Sequence, residues 1–256
     1  MATWLELLTV TVFGLCIGSF LNVCAYRLPL GGSIVSPASR CTSCGRTLSW
    51  FDNVPVLSWV VQRGRCRTCK APVSWMYPSV EIITSLVFVL TYLTYGLTLL
   101  SLVRVVFACA LIVLFITDLQ HKILPNTITL PGIVVGFVCS FFLPPGWVNS
   151  LIGLIVGGGF LYAMAEAYYR FRGQEGLGMG DVKLLAMIGA FLGWKLVLLT
   201  LVFASLTGSL AGGVVIASGR GSMKYALPFG TFLAVGALFA ATWGEPIADW
   251  YFGFYQ

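Results

Sequence analysis

Residues 99–118 read LLSLVRVVFACALIVLFITD, an almost wholly apolar run closed by an aspartate. About 20 such residues in helical form cross a bilayer. Lipid offers the backbone no hydrogen-bond partner, so a spanning segment is either an α-helix or a strand of a closed barrel. A barrel strand would alternate apolar and polar residues, and this run does not. Comparable runs cover about residues 5–26, 79–97, 128–143, 150–169, 182–194, 196–218 and 227–243. Of the 256 residues 58% are hydrophobic and 9% charged, and the mean hydropathy is +0.92, which excludes a soluble domain with a solvated surface. The expectation is an all-α polytopic membrane protein of about eight transmembrane helices. The first run has no basic stretch before it, and Arg27 follows it, so it reads as a retained helix and not as a signal peptide.

Basic residues orient these helices. Arg27, Arg40, Arg46, Arg63, Arg65, Arg67, Lys70, Lys122, Arg170, Arg172, Lys183, Arg220 and Lys224 fall on one side, and only Arg104 and Lys195 on the other. The positive-inside rule puts the first group, with the insert 27–78, in the cytoplasm and both termini outside. The formal net charge of +6 is then explained by topology and anionic lipid, and no nucleic-acid partner is needed.

That orientation uses none of the acids, yet it places two of them on one membrane face. Asp118 ends the run quoted first, and Asp181 follows Gly178-Met179-Gly180 and opens Val182-Lys183-Leu184-Leu185. A carboxylate held in or at the edge of a bilayer costs several kcal/mol, roughly 2.5–3.5 at the centre, and marks a functional site. Two carboxylates side by side cannot both ionise easily, so one can accept a proton from water while the other donates to a carbonyl. Proton relay in a transporter uses the same chemistry. His121 is the only histidine and reads as a solvated loop residue, since one imidazole makes a poor metal site. Lys183 lies about 200° around a helix from Asp181 and reads as a snorkelling side chain. Glu81, after Tyr77-Pro78, stands where a carboxylate would complement a helix N-terminus.

The cysteines fall into two groups. Cys16, Cys24, Cys109 and Cys139 sit in apolar runs and read as small buried hydrophobes. Cys41-Thr42-Ser43-Cys44, a 21-residue spacer and Cys66-Arg67-Thr68-Cys69 form two knuckles of the kind that hold a structural zinc. Two disulfides are the alternative, but thiols on the cytoplasmic side stay reduced. Four thiolates leave no open position for a substrate, so the metal would staple an insert with few large apolar groups. The neighbouring Arg40, Arg46, Arg65, Arg67 and Lys70 would offset its charge.

The chain resembles the bacterial type IV prepilin peptidases. The resemblance rests on Gly18-Ser19-Phe20-Leu21-Asn22-Val23 with Tyr26-Arg27-Leu28-Pro29, on the paired cysteine knuckles, and on Tyr77-Pro78-Ser79-Val80-Glu81. It continues through Asp118 with Leu124-Pro125-Asn126 and Thr129-Leu130-Pro131, through Gly178 to Leu184, and ends at Pro228-Phe229-Gly230-Thr231-Phe232. It implies an intramembrane aspartic endopeptidase of the bacterial inner membrane, with active site and zinc domain facing the cytoplasm. The substrates would be prepilins or pseudopilins of type IV pilus and type II secretion systems. It further implies catalysis by Asp118 and Asp181, a metal on Cys41, Cys44, Cys66 and Cys69, and methylation of the new N-terminus with S-adenosylmethionine.

Asn22, Arg27 and Glu81 are polar, close to the cytoplasmic boundary and suited to a charged cofactor, and equally suited to anchoring helix ends. The implied division is a first transmembrane helix (1–26), a cytoplasmic four-cysteine zinc domain (27–78) and a peptidase helical bundle (79–256). The first knuckle lacks the proline common after the first cysteine in this family, which removes no ligand. A proton-coupled transporter with a zinc-stabilised domain, and an intramembrane aspartic protease with other substrates, are the competing readings.

Overall fold

The computed structural model describes residues 3–173, 178–218 and 227–253. Arg220 and Lys224, used in the charge count, and the last three residues of the expected bundle lie outside the described residues. The described elements are helical, with two isolated β-bridges in the cysteine insert. Residues 1–113 and 114–256 form two compact units, and the division falls inside one helix.

The first unit holds α1 (Trp4–Arg27), the short α2 (Leu57–Val61), α3 (Met76–Tyr95) and the start of α4 (Leu99–His121). A capping box starts α1: Thr3 Oγ1 accepts the Glu6 N–H at 3.2 Å, and Glu6 Oε2 accepts the Thr3 N–H at 2.7 Å. In lipid, helices associate through close backbone approach and polar contacts. Accordingly α1 meets α3 through Gly14 and Gly18, where a Cβ would come within 2.6 Å of Ser85 Cα and of Glu81 Cα. Ser85 Oγ donates to Thr11 O at 2.9 Å, and Asn22 Nδ2 donates to Tyr77 O at 3.1 Å.

The second unit holds the end of α4, then α5 (Asn126–Cys139), α6 (Trp147–Arg172), α7 (Met179–Ala217) and α8 (Phe229–Gly253). The expected helices 182–194 and 196–218 are the two halves of the 39-residue α7, joined at Gly193. Its φ of 79° and ψ of 176° are open to glycine and costly to other residues, and they break the helix there. Counted as halves, the described residues supply the eight apolar helices expected. Six elements are long and apolar enough to cross a membrane, while α5, at 14 residues, is shorter.

Helices α6 and α7 pack through paired glycines, a Cβ on Gly153 falling 2.5 Å from Gly189 O. Ser150 Oγ donates to Ala190 O at 2.6 Å beside them. The outer faces carry large exposed apolar side chains such as Leu93, Leu206, Leu210 (71% exposed) and Val214, a surface that lipid covers and water would not. Of the helical cysteines only Cys24 is buried; Cys109 and Cys139 are half-buried, and Cys16 is exposed on the wall of a cavity in the first unit.

Gly189→Val would drive a branched side chain into the backbone of α6. Thermal unfolding in detergent is expected to show a loss of about 1–3 kcal/mol or more, and an unchanged midpoint would contradict the glycine packing.

Candidate active site

Asp118 lies in the last turn of α4, before the chain turns at Lys122, and is 5% exposed. Asp181 lies in the first turn of α7, half-buried, its N–H donating to Gly178 O at 3.0 Å. The residues that bring them together belong to the start of α8. Thr231 donates to one oxygen of Asp118 twice, from its backbone N–H at 2.7 Å and from Oγ1 at 3.0 Å.

Gly230 stands between the acids. A Cβ there would lie 3.0 Å from Asp118 Oδ2, 3.1 Å from Asp181 Oδ1 and 2.9 Å from Leu124 Cδ1. Its backbone N–H also bears on Asp181, as does the charge of Asp118. Two acids 63 positions apart in sequence thus flank one point at a helix N-terminus, where free N–H groups and the helix dipole favour negative charge. The arrangement can hold one carboxylate ionised beside a protonated one.

Neighbouring residues divide as follows. His121 is exposed at the end of α4. Lys183 donates from Nζ to Asn126 Oδ1 at 2.9 Å and so ties α7 to the start of α5. Glu81 departs from its expected place at a helix start. Because α3 begins at Met76, Glu81 sits beyond the first turn, is buried, and accepts the Val56 N–H at 2.7 Å. The Arg27 guanidinium donates to Ser33 O at 2.9 Å and Pro37 O at 2.7 Å, pinning the loop after α1. Asn22, Arg27 and Glu81 nevertheless line one cavity of about 920 Å³ in the first unit.

The sequence reading missed Thr231, Gly230 and Val56 as partners of acids. Val56 acts through its backbone, Gly230 through a missing side chain, and Thr231 through its N–H and a hydroxyl far from Asp118 in sequence, none of which residue type reveals.

The four insert cysteines converge. Their Sγ atoms lie within 4.8 Å of one another, and Cys41 Sγ is 3.9 Å from Cys69 Sγ. With Zn–S bonds of about 2.3 Å, a tetrahedral site has sulfur–sulfur edges of about 3.8 Å, so the thiols fit zinc. The two knuckles repeat one backbone pattern. Cys41 N–H donates to Arg46 O at 2.9 Å and Gly45 N–H to Cys41 O at 2.9 Å; Cys66 N–H donates to Ala71 O at 2.8 Å and Lys70 N–H to Cys66 O at 3.0 Å. The absent proline therefore leaves the first turn intact.

The N–H groups of Cys44 and Ser43 hold the Cys41 thiol down at about 6, and those of Cys69 and Thr68 lower Cys66. Burial with the neighbouring sulfurs pushes Cys69 up to about 11, so the thiols share the charge unevenly until a metal binds them. Arg46 pairs with Asp52 and donates to Thr68 Oγ1 at 2.7 Å, bridging the knuckles, so its charge is partly committed away from the sulfurs.

Fold and site together define a multi-pass helical membrane protein with a paired-carboxylate site and a four-cysteine insert. Two family models match it: the bacterial peptidase A24 N-terminal domain over residues 12–95, and the type IV leader peptidase family over residues 105–213. The chain belongs to the type IV leader peptidase family.

Curated relatives bear the name prepilin leader peptidase/N-methyltransferase. One from Pseudomonas putida is 36% identical over 262 residues, covering 93% of this chain and 90% of its own length. One from Bacillus subtilis is 33% identical over 251 residues, covering 94% of this chain and 95% of its own. One from Myxococcus xanthus is 42% identical over 211 residues, which span 82% of this chain and 63% of the relative. No solved structure matches the chain.

Purified protein is expected to contain about one zinc per chain by elemental analysis, and Cys66→Ser to lose most of it. Full zinc content in that variant would remove the four-cysteine assignment.

Proposed function

We propose that Asp118 and Asp181 together hydrolyse the peptide bond between a prepilin leader and its mature chain, at the cytoplasmic boundary of the membrane. The chain is a multi-pass inner-membrane enzyme of the prepilin leader peptidase/N-methyltransferase family, which cleaves leader peptides and methylates the exposed N-terminus. The observation that carries the catalytic assignment is the convergence of both carboxylates on Gly230.

Two donors from Thr231 on one Asp118 oxygen suit the carboxylate that carries the charge, since hydrogen bonds to the charged form favour it. Asp118 then takes a proton from water as its oxygen attacks the scissile carbonyl carbon, and Asp181 gives its proton to the carbonyl oxygen. On collapse the C–N bond breaks and the departing amine takes the proton from Asp118. The proton of one diol hydroxyl returns to Asp181, restoring the starting pair.

The basic leader is attracted to the acidic pair while the hydrophobic part of the substrate stays in lipid, which fits a site at the ends of α4 and α7. The clustering of basic residues on one side supports a cytoplasmic site and zinc domain. Residues 27–78 serve as the zinc-stapled insert between the first span and the peptidase bundle of 79–256.

Zinc on Cys41, Cys44, Cys66 and Cys69 is structural, all four thiols being used in holding it. S-adenosylmethionine, when bound, supplies an electrophilic methyl group. The cavity lined by Asn22, Arg27 and Glu81 suits it in size and in carrying both anionic and cationic groups. Membership of the leader peptidase family displaces the proton-coupled transporter and the protease of other substrates.

Cleavage of a prepilin in detergent or membranes tests the assignment, with the product read by mass in the presence of S-adenosylmethionine. Asp118→Asn and Asp181→Asn are each expected to lower cleavage by at least ~10³-fold with helical content retained, and the wild-type product to gain one methyl. Wild-type rates in either variant would remove the carboxylate pair.

A further inference from the structure

The cavity of the first unit carries features that proteolysis does not use. Glu81, 7% exposed, lines it, too deep in α3 to serve that helix's N-terminus. Asn22, 6% exposed, lines it as well; its Nδ2 donates to Tyr77 O, while Oδ1 has no hydrogen-bond partner among the described residues. A buried acceptor left empty is costly and needs a reason.

The third feature is Val56. It holds φ 59° and ψ −51° at the centre of a γ-turn closed by the Leu57 N–H on Pro55 O. Positive φ in a β-branched residue is an outlier, and a γ-turn of this hand is strained. The turn aims the Val56 N–H at Glu81 Oε2 at 2.7 Å. Strain of this kind persists where the surroundings over-determine it, commonly at a ligand clamp. Here it fixes a buried carboxylate at the wall of a cavity.

An ionised carboxylate has about four acceptor positions. Val56 takes one, and the Ser19 hydroxyl reaches the same group. These two donors fill about half of the carboxylate's positions, and Asn22 Oδ1 adds an acceptor with none filled. The complementary ligand is a small cation with several N–H bonds. Arg40 and Arg65 line the same cavity and suit a carboxylate.

We propose that Glu81 and Asn22 seat a primary amino group, with the Glu81 carboxylate as its counter-charge and the Asn22 carbonyl as a second acceptor. This rests on the methyl-transfer reading and gives that site its polarity. Two reactants carry such a group: the amino-acid end of the methyl donor, and the free N-terminus of the trimmed substrate.

Binding to the full chain in lipid nanodiscs, by calorimetry, tests the proposal and separates the sources. The probes are S-adenosylhomocysteine and its N-acetyl derivative, and a mature-pilin N-terminal peptide with free or acetylated amine. In one pair, acetylation is expected to weaken binding to the wild type about tenfold or more, and Glu81→Gln to abolish that discrimination. The pair that responds identifies the source of the amine. The wild-type comparison needs no variant to fold. A wild type that binds the probes without discriminating within either pair overturns the proposal alone, as does a folded Glu81→Gln that discriminates as well as wild type. A wild type that binds none of the four overturns the methyl-transfer reading, and the proposal with it.

Discussion

Everything at the paired-acid site depends on supplying hydrogen-bond donors to carboxylates where lipid and apolar side chains supply none. Asp118 takes its donors from Thr231, at the N-terminal end of α8. A helix N-terminus is well suited to this, because its first N–H groups have no partner within the helix. The same end carries Gly230, whose lack of a side chain leaves room for Asp118 and Asp181 to face one point. The break at Gly193 and the glycine contacts of α6 and α7 serve the bundle that holds the ends of α7 and α8 in place.

The first unit solves a similar problem by other means. Glu81 is buried in α3 and is served by the strained turn at Val56, outside any long helix, and by the Ser19 hydroxyl of α1. The cysteine knuckles replace a hydrophobic core with four convergent sulfurs, and Arg46 ties one knuckle to the other through Thr68. A cavity walled by both kinds of structure has rigid polar groups in a place where neither packing alone nor loops alone would hold them.

Much of this was legible in the sequence, for a physical reason. Apolar runs must be helices in lipid, so the helical segments could be read from composition, including the pair that proved to be the two halves of α7. Carboxylates in such runs are costly enough to stand out, which is why Asp118 and Asp181 were visible before any geometry. The knuckles were visible through their spacing. Thr231 was not, because its contribution comes from a backbone N–H and a hydroxyl 113 positions from Asp118. Val56 was hidden for the same reason, since nothing about a valine suggests positive φ. Glu81 was misread as a helix-start residue because Tyr77-Pro78 suggested a later beginning than Met76.

The most direct test of the central claim is a double-mutant cycle on leader cleavage, comparing kcat/KM for Asp118→Asn, Asp181→Asn and the combined variant. Residues that act as one unit lose nearly everything with the first substitution, so the double variant should be no slower than the worse single one. Losses that multiply would mean that the two acids act independently, and would contradict a shared catalytic pair at Gly230.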